Sequence, residues 1–93
     1  MTERGRMIRR LQRAIAASSN PNISKRARHT AARRAAALAE GLGLIDRPAV
    51  CQACFHSRTL FRHHPDHSHP IAVVFLCEDC HRRADILQKR KGA

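Results

Sequence analysis

The sequence predicts an α+β fold: a basic, alanine-rich helical hairpin over residues 1–48, then a small module of knuckle, β-hairpin and helix over residues 49–93. Three observations predict it. Before residue 48, two stretches place apolar residues at steps of three and four, the mark of an amphipathic helix. The four cysteines form two C-x-x-C pairs, Cys51/Cys54 and Cys77/Cys80, separated by 22 residues. Residues 71–76, Ile-Ala-Val-Val-Phe-Leu, make a β-branched, apolar run of strand type.

The first helix is expected from about Glu3 to Ala17, with Thr2 as its N-cap. Met7, Ile8, Leu11, Ala14 and Ile15 share its apolar face. Ser18-Ser19-Asn20-Pro21-Asn22 then breaks the pattern with turn-forming and capping residues. The second helix begins between Pro21 and Ser24 and runs to about Glu40. Its stripe is Ala27, Ala31, Ala35 and Leu38, with Gly41 as the C′ residue. Alanines allow close helix approach but bury little area each, so the hairpin is expected to lean on something else. Leu42, Leu44 and Ile45 offer the docking point before Arg47-Pro48 opens the next segment.

After the Cys51–Cys54 knuckle, Thr59-Leu60-Phe61 reads as a short strand that pairs with residues 71–76 across the polar loop 65–70. The last helix runs from Asp79 to about Lys89, with Ala84, Ile86 and Leu87 in a helical setting. Knuckle, hairpin and a helix carrying the second cysteine pair at its start make a treble clef. Lys89-Arg90-Lys91 suits a helix C-terminus and adds a basic patch.

Composition narrows the function. The chain has 93 residues, a formal charge of +11 and three aromatic residues, all Phe. One small core is all that length supports, and with so little aromatic area a structural metal is a natural supplement. The charge favours a polyanion, most often nucleic acid, DNA or RNA; a merely soluble basic protein is the plainer reading. Residues 1–48 hold eleven Lys/Arg against three acids, residues 49–93 seven against four, so the hairpin is the expected phosphate-facing half. Arg6, Arg9, Arg10, Arg13, Lys25, Arg26, Arg33 and Arg34 are its candidate contacts, with Arg82 and Arg83 as a second patch. No aromatic residue precedes Phe55, so base stacking from the hairpin is not expected. No run has the apolar length of a signal peptide or of a membrane span, so no membrane partner is expected. A cytoplasmic setting, bacterial or that of a host cell, follows, with reduced cysteines.

Reduced thiolates at this spacing suit a tetrahedral Zn²⁺ bound by Cys51, Cys54, Cys77 and Cys80. C-E-D-C-H also fits a haem-attachment pattern, which leaves the first pair unexplained, and neither pair has the βαβ setting of a thioredoxin-like redox motif. Six of the seven histidines lie between residues 51 and 81. His63 and His64 are adjacent on a strand and point to opposite faces, so they are not expected to share an ion. His56 is expected beside the knuckle, bonded to a thiolate or facing water; His67 and His69 are expected to be surface residues; His81 is either a ligand or a structural residue of the helix's first turn.

C-x-x-C, a strand ending in H-H-x-D (His63 to Asp66) and L-C-x-x-C-H (Leu76 to His81) resemble the HNH, or ββα-metal, treble-clef zinc-binding family as found in small phage proteins. The resemblance covers residue 51 to about residue 87 and leaves the hairpin outside. It implies that His63 is a ligand of a second metal and His64 the general base, with His81 and Asp85 completing the metal set. The cation at such a site is commonly Mg²⁺, Mn²⁺ or Zn²⁺. One departure matters: the family usually carries, about five residues before the third cysteine, an asparagine that orients the base. Here that position falls near Ala72, and no asparagine follows Asn22. The leading expectation is therefore a small basic zinc protein that binds nucleic acid or a host or phage nucleoprotein complex. A metal-dependent HNH-type endonuclease is the alternative, and a module docking on a host enzyme such as a polymerase or defence complex the third.

Overall fold

The computed structural model describes the backbone of residues 2–92 and the side chains of residues 2–89. Its order is α1 (Glu3–Ser18), α2 (Lys25–Gly41), β1 (Leu60–His63), β2 (Val74–Cys77) and α3 (Glu78–Gly92). The α+β expectation holds. The Arg90 and Lys91 side chains of the expected C-terminal patch lie outside the described residues.

Local chemistry starts both hairpin helices. Thr2 Oγ1 accepts from Gly5 N at 3.0 Å and Ser24 Oγ from Ala27 N at 3.1 Å, each satisfying an N–H that no helical carbonyl can reach. The end of α2 corrects the sequence reading. Gly41 is the last helical residue, and the C′ position belongs to Gly43 at φ +78°. Leu44 N reaches Ala39 O at 2.8 Å and Gly43 N reaches Glu40 O at 3.1 Å, a Schellman closure. A Cβ at Gly41 would meet only the flexible Met7 methyl of α1, at 3.4 Å.

The helices pack through Leu11, Ala14, Ala35, Ala39 and Leu42, with Met7, Leu38 and Ile45 at the margin. Ile8 and Ile15, expected on the buried face of α1, are 39% and 36% exposed. The reason is the thinness of the α2 surface: an alanine-lined helix sits so close that only a narrow stripe of α1 is covered. Ala27 is likewise exposed, whereas Ala32, Ala36 and Ala39, outside the expected stripe, are fully buried.

β1 and β2 are antiparallel, with Leu60 opposite Cys77, Phe61 opposite Leu76, Arg62 opposite Phe75 and His63 opposite Val74. The expected strand over residues 71–76 begins only at Val74. Turn bonds from His69 N to Asp66 O and from Ala72 N to His69 O, both 3.1 Å, hold the chain around the buried Pro70. Leu60, Phe75, Leu76, Cys51 and Cys77 form a second core, and Ile45 packs against both cores.

The linker after α2 ties the halves together. Arg47 bonds Glu40 through Nε–Oε2 at 2.9 Å and Nη2–Oε1 at 3.1 Å, and its Nη1 donates to Leu60 O at 2.8 Å. Its guanidinium lies 4.8 Å from the centre of the Phe75 ring. Arg62 of β1 reaches the same Glu40 carboxylate at 2.8 Å. The hydrogen bonds of Arg47 and Arg62 hold the Glu40 carboxyl below its usual pKa. Bidentate, shared geometry of this kind is worth more than an isolated surface pair.

The two glycines separate experimentally. Gly41→Ala is expected to raise stability by about 0.5–1 kcal/mol, because the flexible Met7 terminus can yield while the helix loses a glycine. Gly43→Ala is expected to lower it by about 1–2 kcal/mol through its left-handed backbone. Urea unfolding of both variants checks the pair.

Candidate functional site

The first knuckle is fixed by backbone geometry. Phe55 N bonds Cys51 O at 2.9 Å, Cys51 N bonds His56 O at 3.0 Å, and Phe55 takes φ +62° to close the turn. Ala53 N points at Cys51 Sγ, 3.4 Å away. Gln52 then clamps the knuckle to β2: its N–H donates to Phe75 O at 3.0 Å and its Oε1 accepts from Phe75 N at 2.8 Å. β2 ends on Cys77 and α3 starts at once, so Cys80 lies in the first turn of that helix.

The four sulfurs come together, all within 4.8 Å of one another. Cys54 Sγ and Cys77 Sγ are 3.8 Å apart, close to the ~3.8 Å edge of a tetrahedron with Zn–S bonds of about 2.3 Å. The cysteines are free thiols, not disulfides, and the cluster can hold a metal ion. Burial of Cys51 opposes ionisation, but N–H groups of Cys54, Cys77 and Ala53 outweigh it and bring this thiol down to about 6. Cys80 is pushed up to about 12, first by hydrogen bonding with Cys77 and then by burial. Without a cation the four groups cannot ionise together; a divalent ion removes that conflict.

A second set of donors lies on the other side of α3. Phe61 and His63 share one face of β1 by the two-residue period, and α3 brings His81 and Asp85 to it, one turn apart. Asp85 Oδ1 is 3.6 Å from His63 Nδ1, and its Oδ2 is 3.5 Å from His81 Nδ1. These spacings are at or beyond hydrogen-bond length and match the roughly 3.4 Å between donors that share one tetrahedral ion. All three residues offer a ligand atom within 4.8 Å of the others. Burial, then the neighbouring His81, lowers the His63 pKa, which keeps the imidazole neutral, as ligation requires.

His64 points elsewhere, as strand alternation demands. It is 4% exposed, and its Nε2 lies 2.8 Å from Pro70 O. A carbonyl only accepts, so Nε2 carries a proton, and in the neutral ring Nδ1 holds the lone pair. Gln88 of α3 fixes the same stretch from outside, donating to His64 O at 3.1 Å and Pro65 O at 2.6 Å. A backbone carbonyl thus holds this ring.

His67, expected at the surface, is half-buried. Its ring stacks on His29 of α2 at 3.7 Å and 12° and lies 5.1 Å from the His64 ring at 22°. His69 is exposed and pairs with Asp66 at 3.1 Å, whose carboxyl the Ser68 bonds, with help from His69, hold at about 2. His56 is exposed and only its carbonyl touches the knuckle. Sequence reasoning missed His29, Gln52, Gln88 and the Glu40–Arg47–Arg62 link; their type carries no signal without the tertiary contact.

A cleft of about 1160 Å³ joins these features, lined by Lys25, Arg28, His29 and Arg33 of α2 and by His63, His64, His67, His81 and Asp85. The ten expected nucleic-acid contacts are all exposed, yet they do not share one surface. Lys25 and Arg33 line this cleft. Arg10, Arg13, Arg26 and Arg34 line a separate groove between α1 and α2. Arg82 pairs with Glu78 at 3.2 Å, and Arg6, Arg9 and Arg83 line neither concavity.

No protein-family model matches the chain, and no curated protein or solved structure is significantly similar to it. Among the described residues, no helix is long and apolar enough to cross a membrane.

Two outcomes follow from this geometry. Metal analysis of the purified protein is expected to give at least one zinc per chain. Cys77→Ser, or a strong chelator, is expected to unfold the C-terminal half, since structural zinc contributes roughly 10 kcal/mol in comparable sites; circular dichroism and metal content check it. The histidine stack predicts a pH effect. His67 is lowered to about 4 by burial and then by His29 and His64, and His29 is lowered by burial and by Lys25. The unfolded chain then binds more protons than the folded one between about 6.5 and 4, so this contribution is complete above 6.5 and is lost as pH falls towards 4. Thiol protonation also acts in acid, so the comparison is with His67→Phe, which stacks but does not titrate. Its melting temperature is expected to fall less with acidification, by a few degrees, than that of the parent.

Proposed function

We propose that the protein is a metal-dependent endonuclease of HNH type, with a four-cysteine zinc treble clef as scaffold and nucleic acid as substrate. The observation that carries this reading is convergence in one cleft. The His63–His81–Asp85 donor set, the oriented ring of His64 and the cations Lys25, Arg28 and Arg33 all line it.

Each residue has a task that its chemistry supports. His63, His81 and Asp85 would hold a divalent cation, which supplies Lewis-acid neutralisation of charge on the scissile phosphate. Two imidazoles with one carboxylate suit Mn²⁺ or Zn²⁺ better than Mg²⁺. His64 takes a proton from water at Nδ1, while Pro70 O steadies the proton on Nε2 as the ring becomes cationic. Lys25 and Arg33 bind flanking phosphates electrostatically. Arg28 already donates to Ile23 O at 2.6 Å, so it offers the cleft its charge more than its hydrogen bonds.

A second reading, nucleic-acid binding without cleavage, has its own support. His64 is nearly covered, and the His67 ring lies over it, which restricts the approach of water. One assay separates the two. Zinc-loaded protein is expected to nick supercoiled plasmid with added Mn²⁺, and His64→Ala to slow nicking by about 10²-fold or more while zinc content and circular dichroism stay unchanged. Retarded DNA with no cuts in supercoiled plasmid or in single-stranded DNA under any divalent ion would overturn the nuclease and leave the binding protein.

A further inference from the structure

The three phenylalanines have different fates. Phe75 is buried at 2% exposure, Phe55 stands out at the knuckle at 73%, and Phe61 is 45% exposed. Phe61 is the one that lines the cleft. It shares the β1 face with His63, and its ring centre is 6.3 Å from that of His81, tilted by 38°. Among the described residues, the one aromatic carbon ring in the cleft therefore lies beside the metal-capable donors, with part of its surface open to solvent. The strand does not require this: opposite Leu76, an aliphatic or a threonine would serve the ladder as well.

The rest of the cleft says what such a ring would meet. The same cleft is lined by Lys25, Arg28 and Arg33 of α2 and by Lys89 of α3. An open aromatic face beside a cationic wall is how proteins hold unpaired nucleic acid: the cations follow the backbone while the ring stacks on a base. A base inside a duplex has both faces covered by its neighbours, so it offers the ring nothing without being displaced.

We propose that the cleft takes an unpaired nucleic-acid strand, with Phe61 stacked on a base and the α2 cations following its backbone. This rests on the nucleic-acid reading above and adds the substrate class, single-stranded, together with the residue that selects it. The hairpin thereby becomes one wall of the site. Arg10, Arg13, Arg26 and Arg34, in their separate groove, stay free to hold a distant part of the same polyanion.

The test is fluorescence anisotropy on the zinc-loaded full chain without other added metal, using labelled oligothymidine and a blunt duplex at matched salt. The single strand is expected to bind more tightly. Phe61→Ala is expected to weaken single-strand binding roughly 5- to 150-fold and to leave the duplex unchanged. Phe61→Trp should restore or tighten binding, whereas Phe61→Leu, which keeps apolar bulk without a π face, should resemble alanine. If the alanine variant loses zinc, the leucine and tryptophan variants decide. Equal or tighter duplex binding, or leucine as good as phenylalanine, overturns the proposal. Nicking with Mn²⁺ is scored separately. Cutting without strand preference overturns this inference and leaves the nuclease; Phe61-dependent strand preference without cutting does the reverse.

Discussion

The convergence of four sulfurs governs the rest of the molecule. The knuckle has no apolar side chain long enough to anchor itself: Ala53 is exposed and Phe55 points outward. What keeps it against β2 is the Gln52 clamp and the cysteine cluster. Everything beyond depends on that seating. β2 runs directly into α3, so the position of the second cysteine pair sets where α3 begins and which way it runs. The hairpin half offers little compensation, because its core is largely alanine, and an alanine buries only a fraction of the area that a leucine does.

Much of this was legible in the sequence, for identifiable reasons. The first helix announced itself through Thr2, whose capping role needs only its own first turn, whereas the start of the second stayed open between Pro21 and Ser24. The cysteine cluster was legible because metal spacing is a local code. Asp85 falls beside His81 because four residues make one turn of helix, and that too needs no tertiary knowledge. The failures share one cause: they concern what lies across from a residue. Ile8 and Ile15 have correct periodicity, but the alanine surface of α2 is too narrow to cover them. His67 sits in a polar loop, and only the approach of His29, distant in sequence, turns it into part of a stack. Arg47 has no signal at all beyond preceding a proline, yet it touches α2, β1 and the Phe75 ring.

α2 explains how a chain so poor in bulky residues can still organise charge. Its fully buried alanines let other elements approach closely, and the remaining positions are free to carry cations. Lys25, Arg28 and Arg33 then face one concavity while Arg26 and Arg34 face another. Held apart in this way, the cations repel less than they would on one face. The Cα trace measures 42 × 33 × 13 Å, a plate in which the two cores lie side by side and meet at Ile45. A plate exposes more surface per residue than a sphere, which costs stability but gives both concavities open access.

α3 carries one more implication, for how this chain can vary. Cys80 and His81 are neighbours in one helix, the first serving the sulfur cluster and the second the cleft. Their division of labour depends on the roughly 100° rotation between successive helical residues. Point substitutions elsewhere on α3 leave that angle alone, but a single inserted or deleted residue between Cys80 and Asp85 would swing every later side chain around the axis. Asp85 would leave His63, and Gln88 would leave the backbone of His64 and Pro65. The stretch is thus tolerant of spelling and intolerant of length, and relatives of this chain should preserve its spacing before they preserve its other residues.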